Sequence, residues 1–322
     1  MRWNRDLLFA AIVIVIVAGV GLIRPSFVWP RNLIGLFNDT SILMMLALAQ
    51  TAVILTKCID LSVAANIALT GVLVSIVNAA HPELPIPLLM LLAAGIGLLL
   101  GAFNGAMVWL VGIPSIVVTL GTLSIYRGLA FRASGGTSIV GHQMSPAFIA
   151  VPRAELLGLP MMSWFAMLLI AVFAFMLRGT RTGRAFYAAG GNPTAAVYSG
   201  INVGRTQFIA FCTAGAVAGF CGYLWASRFS IANVDMASGF ELDVIASCVI
   251  GGVSISGGIG TVAGAVLGAI FFGVVRNALP VIYVSPFWQL AISGVAILGA
   301  VIINAGRERQ TGRLILKEAA AS

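Results

Sequence analysis

The sequence predicts an all-α polytopic membrane protein of about ten transmembrane helices arranged as two inverted five-helix repeats, and three observations predict it. The 322 residues are 60% hydrophobic and only 9% charged, at a mean hydropathy of +1.06, whereas a globular chain is about 25% charged. Apolar stretches of about 17–25 residues, the length that crosses a bilayer core, recur along the chain. They lack the period-2 alternation of an outer-membrane barrel, so helices remain as the structure that satisfies a backbone in lipid. The third observation is that two residue skeletons recur in the same order, once in each half.

In chain order, the first span at about 7–23 follows Arg2 and Arg5 and resembles a signal peptide. Its apolar core is long, however, and Arg24-Pro25 stands where a small-residue cleavage site would be, so it reads as an uncleaved helix. Spans two to five fall at about 41–56, 64–79, 88–110 and 115–131, and six to ten at about 162–177, 207–226, 242–253, 262–279 and 287–304. The 12 prolines lie at or between the ends of these segments, as breakers do. Span eight is too short to cross alone and reads as a broken helix continuing through Ser254-Ile255-Ser256-Gly257-Gly258. The whole of 1–322 reads as one transmembrane domain with pseudo-repeats at about 1–131 and 162–304.

Charge sets the orientation, because cytoplasmic loops carry the excess of Lys and Arg. With the N-terminus inside, the inner segments hold Arg2, Arg5, Lys57, Arg178, Arg181, Arg184, Arg205, Arg307, Arg309, Arg313 and Lys317. The outer ones hold Arg24, Arg31, Arg132, Arg153 and Arg228. Both termini and the segment 178–206 are thereby placed in the cytoplasm, and the loop 132–161 outside. The pI near 9.9 is therefore a topology signal; the charges are too few and too scattered for a nucleic-acid partner.

The skeletons define the repeat. Asp60-Leu61-Ser62-Val63-Ala64-Ala65 matches Glu241-Leu242-Asp243-Val244-Ile245-Ala246, and Gly95-Ile96-Gly97, Gly101-Ala102 and Gly105-Ala106 recur at equal spacing as Gly258-Ile259-Gly260, Gly264-Ala265 and Gly268-Ala269. These pair span three with eight and four with nine, a shift of five, and an odd shift inverts the second half relative to the first. Gly97, Gly101 and Gly105, with Gly260, Gly264 and Gly268, put a small residue at every fourth position, which lets helices approach closely in lipid.

Charges near membrane depth are costly and mark candidate functional positions. Asp60 and Glu241 occupy equivalent repeat positions, and with Asn66, Asn104 and Thr119 they are the pathway or gate candidates. Lys57 and Asp60 could pair across a tight turn, while Arg127 and Arg276 can snorkel toward outer water. In the basic inner segment, Asn192-Pro193-Thr194-Ala195-Ala196-Val197-Tyr198-Ser199-Gly200 is written as a short helix with an Asn cap, a proline at its first position and a terminating glycine. A helix of about two turns is marginal alone, so it needs contacts from the bundle or from a soluble partner.

No catalytic group can be assembled. The two histidines, His81 and His142, lie in outer loops, the four cysteines Cys58, Cys212, Cys221 and Cys248 lack metal-ligand spacing, and no Gly-Lys-Ser/Thr phosphate loop occurs. No metal site or cofactor is expected, and the chain cannot hydrolyse ATP itself.

Four ordered motifs carry a family resemblance. Cys58-Ile59-Asp60-Leu61-Ser62-Val63, Ile113-Pro114-Ser115-Ile116-Val117-Val118-Thr119-Leu120-Gly121-Thr122, Asn192-Pro193-Thr194-Ala195-Ala196 with Ser199-Gly200-Ile201, and Gly251-Gly252-Val253-Ser254 with Gly257-Gly258-Ile259-Gly260 resemble the permease subunits of bacterial ABC sugar importers of the ribose, rhamnose and autoinducer-2 type. The resemblance covers roughly 33 to 304. It implies a dimer of permeases in the inner membrane, served by a cytoplasmic ABC ATPase and a periplasmic sugar-binding protein, with loop 132–161 in the periplasm. Asn192 to Gly200 would then be the element that couples to the ATPase. Lys57-Cys58 stands where similar permeases have a glycine pair. Two rivals stand beside this reading: an ion- or proton-coupled secondary carrier of a small polar solute, which midspan carboxylates would have to support, and a membrane enzyme, which would need converging titratable groups.

Overall fold

The computed structural model describes residues 2–281 together with residues 288, 291, 294 and 295. The tenth predicted span, apart from those isolated positions, and the C-terminal basic residues lie outside the described residues.

The first half comprises α1 (Arg2–Ile23), α2 (Pro30–Leu55), α3 (Val63–Ala80), α4 (Ile86–Ala106), which ends in a π-helical turn at Met107–Val111, and α5 (Ser115–Ser134). A connecting region follows, with β1 (Ile139–Val140), α6 (Pro146–Ala150), β2 (Glu155–Leu156) and β3 (Leu159–Pro160). The rest comprises α7 (Met161–Gly179), α8 (Arg181–Gly191), α9 (Pro193–Tyr198), α10 (Val203–Phe229), β4 (Ile231–Ala232), α11 (Phe240–Ile250) and α12 (Val262–Val281). Among the described residues seven helices, α2 to α5, α7, α10 and α12, are long and apolar enough to cross a membrane, and α1 adds a shorter apolar stretch, Phe9–Ile23.

Helix α2 begins at Pro30, well before the predicted residue 41, because the polar residues Arg31, Asn32, Asn38 and Asp39 depress hydropathy without breaking the helix. From Thr40 to Leu55 every α2 residue is buried, so α2 forms the axis of the bundle. It packs on α10, α12, α7 and α11, while α10 packs on α4 and α3. The α4–α10 seam is backbone against backbone: a Cβ on Gly97 would lie 2.6 Å from the nitrogen of Gly219, and one on Gly101 would lie 2.9 Å from the Cα of Gly215. Lipid supplies no hydrophobic drive between helices, so this close approach is what holds the pair together.

Two readings change in the second half. The eighth span does not continue as a helix: α11 stops at Ile250, and at 11 residues is about 16 Å long, half a bilayer core of about 30 Å. Residues 251–261 instead form a non-helical tip that returns the chain into α12, with Gly251 against Gly264 and Gly268 against Ser247. Gly260 therefore lies in that tip, ahead of α12, and does not share a helical face with Gly264 and Gly268.

The stretch 132–161, predicted as a loop, is a folded cap on one end of the bundle. β1 pairs antiparallel with β4, with Ile139 opposite Ala232. Phe148 in α6 is fully buried edge-to-face on Tyr223 at 4.8 Å, and its carbonyl accepts from the hydroxyls of Tyr223 and Ser227. Elements of two to five residues leave no periodicity to read.

Candidate pathway and coupling elements

At one end of the bundle meet the α2–α3 turn, the α4–α5 turn, the start of α10, α8 and α9, and the α11–α12 tip. Asp60, 3% exposed, sits in the first of these. Its Oδ1 accepts from the Ser62 amide at 2.8 Å and the Ser62 hydroxyl at 2.7 Å. The same hydroxyl accepts from Asn104 Nδ2 at 2.8 Å, and Asn104 Oδ1 lies 3.1 Å from the Tyr126 hydroxyl, which also reaches the Leu100 carbonyl at 2.8 Å. A hydrogen-bonded chain thus joins α5, α4 and the head of α3. Burial pushes the Asp60 carboxyl up from its ordinary value, while both bonds from Ser62 pull it down.

Thr119 fastens the turn from another side, its hydroxyl lying 2.9 Å from the Ser115 carbonyl and 3.3 Å from that of Ile59, whose amide donates to Ser115 Oγ at 3.2 Å. Asn66 donates to the Gly97 carbonyl at 3.3 Å and accepts from Thr70 at 3.1 Å. The expected Lys57–Asp60 pair is absent. Lys57 has a left-handed φ of +64°, which turns its side chain toward the tip, where a Cβ on Gly257 would meet Lys57 Cγ at 2.5 Å.

Glu241 lies at the opposite end and is not brought near Asp60. Its Oε2 is buried with no hydrogen-bond partner among the described residues, and its charge acts on Arg127 together with that of Asp235. Arg127 and Arg276 are held by protein. Arg127 donates to the carbonyls of Val234 and Met236, while Arg276 pairs with the buried Asp243 at 3.2 Å and lies 5.5 Å above the Phe240 ring. Arg228 pairs with Asp39 at the same end.

The short helix α9 forms as its residues dictate. Asn192 Oδ1 accepts from the Ala195 amide at 3.0 Å, and Gly200, at φ +80°, closes a Schellman motif in which Ile201 N donates to Ala196 O and Gly200 N to Val197 O, both at 2.9 Å. Thr194, Ala195 and Ser199 are exposed, as are Val197 (60%) and Tyr198 (88%), while Ala196 is only 4% exposed and faces the bundle. Ala196 therefore packs inward in this structure, and Val197 and Tyr198 are what α9 presents to solvent.

Sequence reading missed α8 and the junction it makes. Gly183, Phe186, Ala189 and Gly190 form its buried face, and their spacing of three to four was the available signal. A Cβ on Gly190 would run into the Leu55 carbonyl and stand 2.6 Å from Gly258 N, which donates to that same carbonyl at 3.0 Å. Tyr187 donates to the Gly260 carbonyl at 3.0 Å. The end of α2, the end of α8 and the α11–α12 tip therefore touch through their backbones, one residue away from the Asn192 cap of α9. Tyr126 and Ser62 were also missed, because the partners that join them are 22 and 42 residues distant in sequence.

The family model described as branched-chain amino acid transport system / permease component matches residues 32–301. Among curated proteins the chain is similar to the autoinducer 2 import system permease protein LsrC of Enterobacter sp. (strain 638), 36% identical over 95% of this chain and 88% of that protein. Proteins of the same name from Shigella flexneri and Escherichia coli (strain K12 / DH10B) are 34% and 33% identical, each over 95% of this chain and 88% of the relative. No solved structure matches the chain.

Proposed function

Since the chain belongs to the branched-chain amino acid transport system / permease component family, we propose that it is the membrane-spanning permease of an ATP-driven importer carrying a sugar-like solute of the autoinducer-2 type into the cytoplasm. The relatives named for autoinducer-2 import span 95% of the chain and favour that cargo over an amino acid. The permease lies in the bacterial inner membrane, forms a dimer with itself or a sister chain, and works with a cytoplasmic ABC ATPase and a periplasmic solute-binding protein. The Asp60 end faces the cytoplasm and the 132–161 cap the periplasm. That reading is supported by the way Lys57, Arg178, Arg181, Arg184 and Arg205 gather at the first end and Arg24, Arg31, Arg132, Arg153 and Arg228 at the other.

One observation carries the mechanism. α9 presents Val197 and Tyr198 to solvent, while the residues just before it are wedged between the end of α2 and the α11–α12 tip. In this reading ATPase closure pushes on α9, and the rigid glycine junction passes the displacement to the α2–α3 turn, where Asp60, Asn66, Asn104 and Thr119 hold the inner gate. Glu241 takes the matching place at the outer gate.

The inverted five-plus-five repeat, with a tenth helix after α12, is part of the same proposal. It is supported by helix direction, since α3 leads away from the Asp60 end and α11 toward it, and by packing in which α10 lies on α4 and α3 as α2 lies on α12 and α11. The test is uptake in vesicles holding the whole complex. ATP-dependent accumulation of autoinducer-2, undiminished by excess leucine, is expected; accumulation of leucine in its place would overturn the cargo, and uptake driven by an ion gradient without ATP would overturn the mechanism.

A further inference from the structure

We propose that the chain carries a binding site for an anionic membrane phospholipid, in a groove at the Asp60 end between α1, α7, α8 and α12. The groove has a cavity volume of about 560 Å³, within the roughly 300–1,000 Å³ of small-molecule sites. Leu7, Ala10, Val262 and Leu267 give it an apolar wall, and Arg178 and Tyr187 form its polar rim.

The division of chemistry selects the occupant. Arg178 is exposed and has no ion-pair partner among the described residues, whereas Tyr187 is committed to the Gly260 carbonyl. Among the described residues the rim therefore offers the Arg178 cation and the wall below it mostly hydrocarbon contacts, which matches a phosphodiester headgroup followed by an acyl chain. Arg181 and Arg184 on α8 add positive charge at the same end. Basic recesses between helices at the membrane surface attract anionic headgroups in this way. The groove opens beside the exposed Leu7 on the outside of the bundle, where lipid has direct access. A bound lipid would lean on Gly260 and Thr261 and so brace the α11–α12 tip against α8. This site does not depend on the cargo or on the coupling role of α9.

The test uses the complete importer purified in detergent and offered phosphatidylglycerol or phosphatidylcholine, with lipid retention read by native mass spectrometry. Phosphatidylglycerol should be retained about fivefold more, the preference one surface arginine confers, and salt should reduce it. Arg178→Gln should abolish the preference without lowering phosphatidylcholine retention, and Arg178→Lys should keep it. Ala263→Trp, at an exposed position lining the groove, should cut retention of both lipids while leaving the complex assembled. Equal retention of the two lipids by the unmodified protein, or an undiminished preference in both Arg178→Gln and Ala263→Trp, would overturn the site. Dissociation of the permease pair by Ala263→Trp would also overturn it, since the groove would then be an interface between copies.

Discussion

Gly190 and Gly191 are neighbours at the end of one helix, yet only the first is irreplaceable by steric argument. A methyl group at Gly190 would collide with the Leu55 carbonyl, whereas one at Gly191 meets nothing within 4 Å among the described residues. The obstacle at Gly190 is backbone, which cannot rotate away, so Gly190→Ala should destabilise the permease by about 1–3 kcal/mol and uncouple ATP hydrolysis from uptake. Gly191→Ala should leave both unchanged. Thermal unfolding in detergent beside an uptake assay reads the difference. The Asp60 chain gives a second residue-scale expectation. Asn104→Leu removes two bonds from the middle of the network, those to the Ser62 and Tyr126 hydroxyls, and should cost about 1–3 kcal/mol, whereas Tyr126→Phe removes one hydroxyl from its edge and should cost about 1 kcal/mol. Equal losses in the two variants would mean that the chain does not act as a connected network.

If α9 couples to the ATPase as proposed, its two faces separate stability from docking. Tyr198→Asp alters a side chain that is 88% exposed, so the permease should insert and unfold as before while ATPase association falls at least tenfold in a pulldown. Ala196→Asp puts a carboxylate on the buried face, where an unpaired charge is strongly unfavourable, and should lower permease stability even with no ATPase present. If Tyr198→Asp assembles and transports normally, α9 is not the coupling element. The α4–α10 seam behaves as a single element too: Gly101→Leu should separate the two helices, because the space is occupied by the backbones of Phe211 and Gly215.

The proposed orientation of the whole molecule rests on where its cations gather, and single-cysteine labelling tests it directly. In a variant lacking Cys58, Cys212, Cys221 and Cys248, a cysteine at exposed Ser138 should react with a membrane-impermeant reagent from outside, and one at exposed Ser199 only after permeabilisation. Reversed labelling would turn the molecule over, and with it the assignment of Asp60 to the inner gate. Both positions are at the ends of the bundle, so neither substitution disturbs helix packing.

Composition and span length determined that this is a helical membrane protein, because the bilayer imposes one thickness and one way to satisfy a backbone on every chain that crosses it. Capping chemistry determined α9, because the bonds of Asn192, Pro193 and Gly200 are all local. The ordered motifs carried the family, since Asp60, Thr119, Asn192 and the Gly251 to Gly260 tip keep their place in the chain whatever their partners are. Tertiary structure alone decided the rest. That α11 ends in a tip clasped by Leu55 and Gly190 depends on contacts between segments remote in sequence. So does the arrangement in which Ala196 faces inward and Arg276 finds Asp243. Hydropathy and periodicity report which residues avoid water, but in a bundle where almost every residue does so, only the packed geometry identifies which residue each one meets.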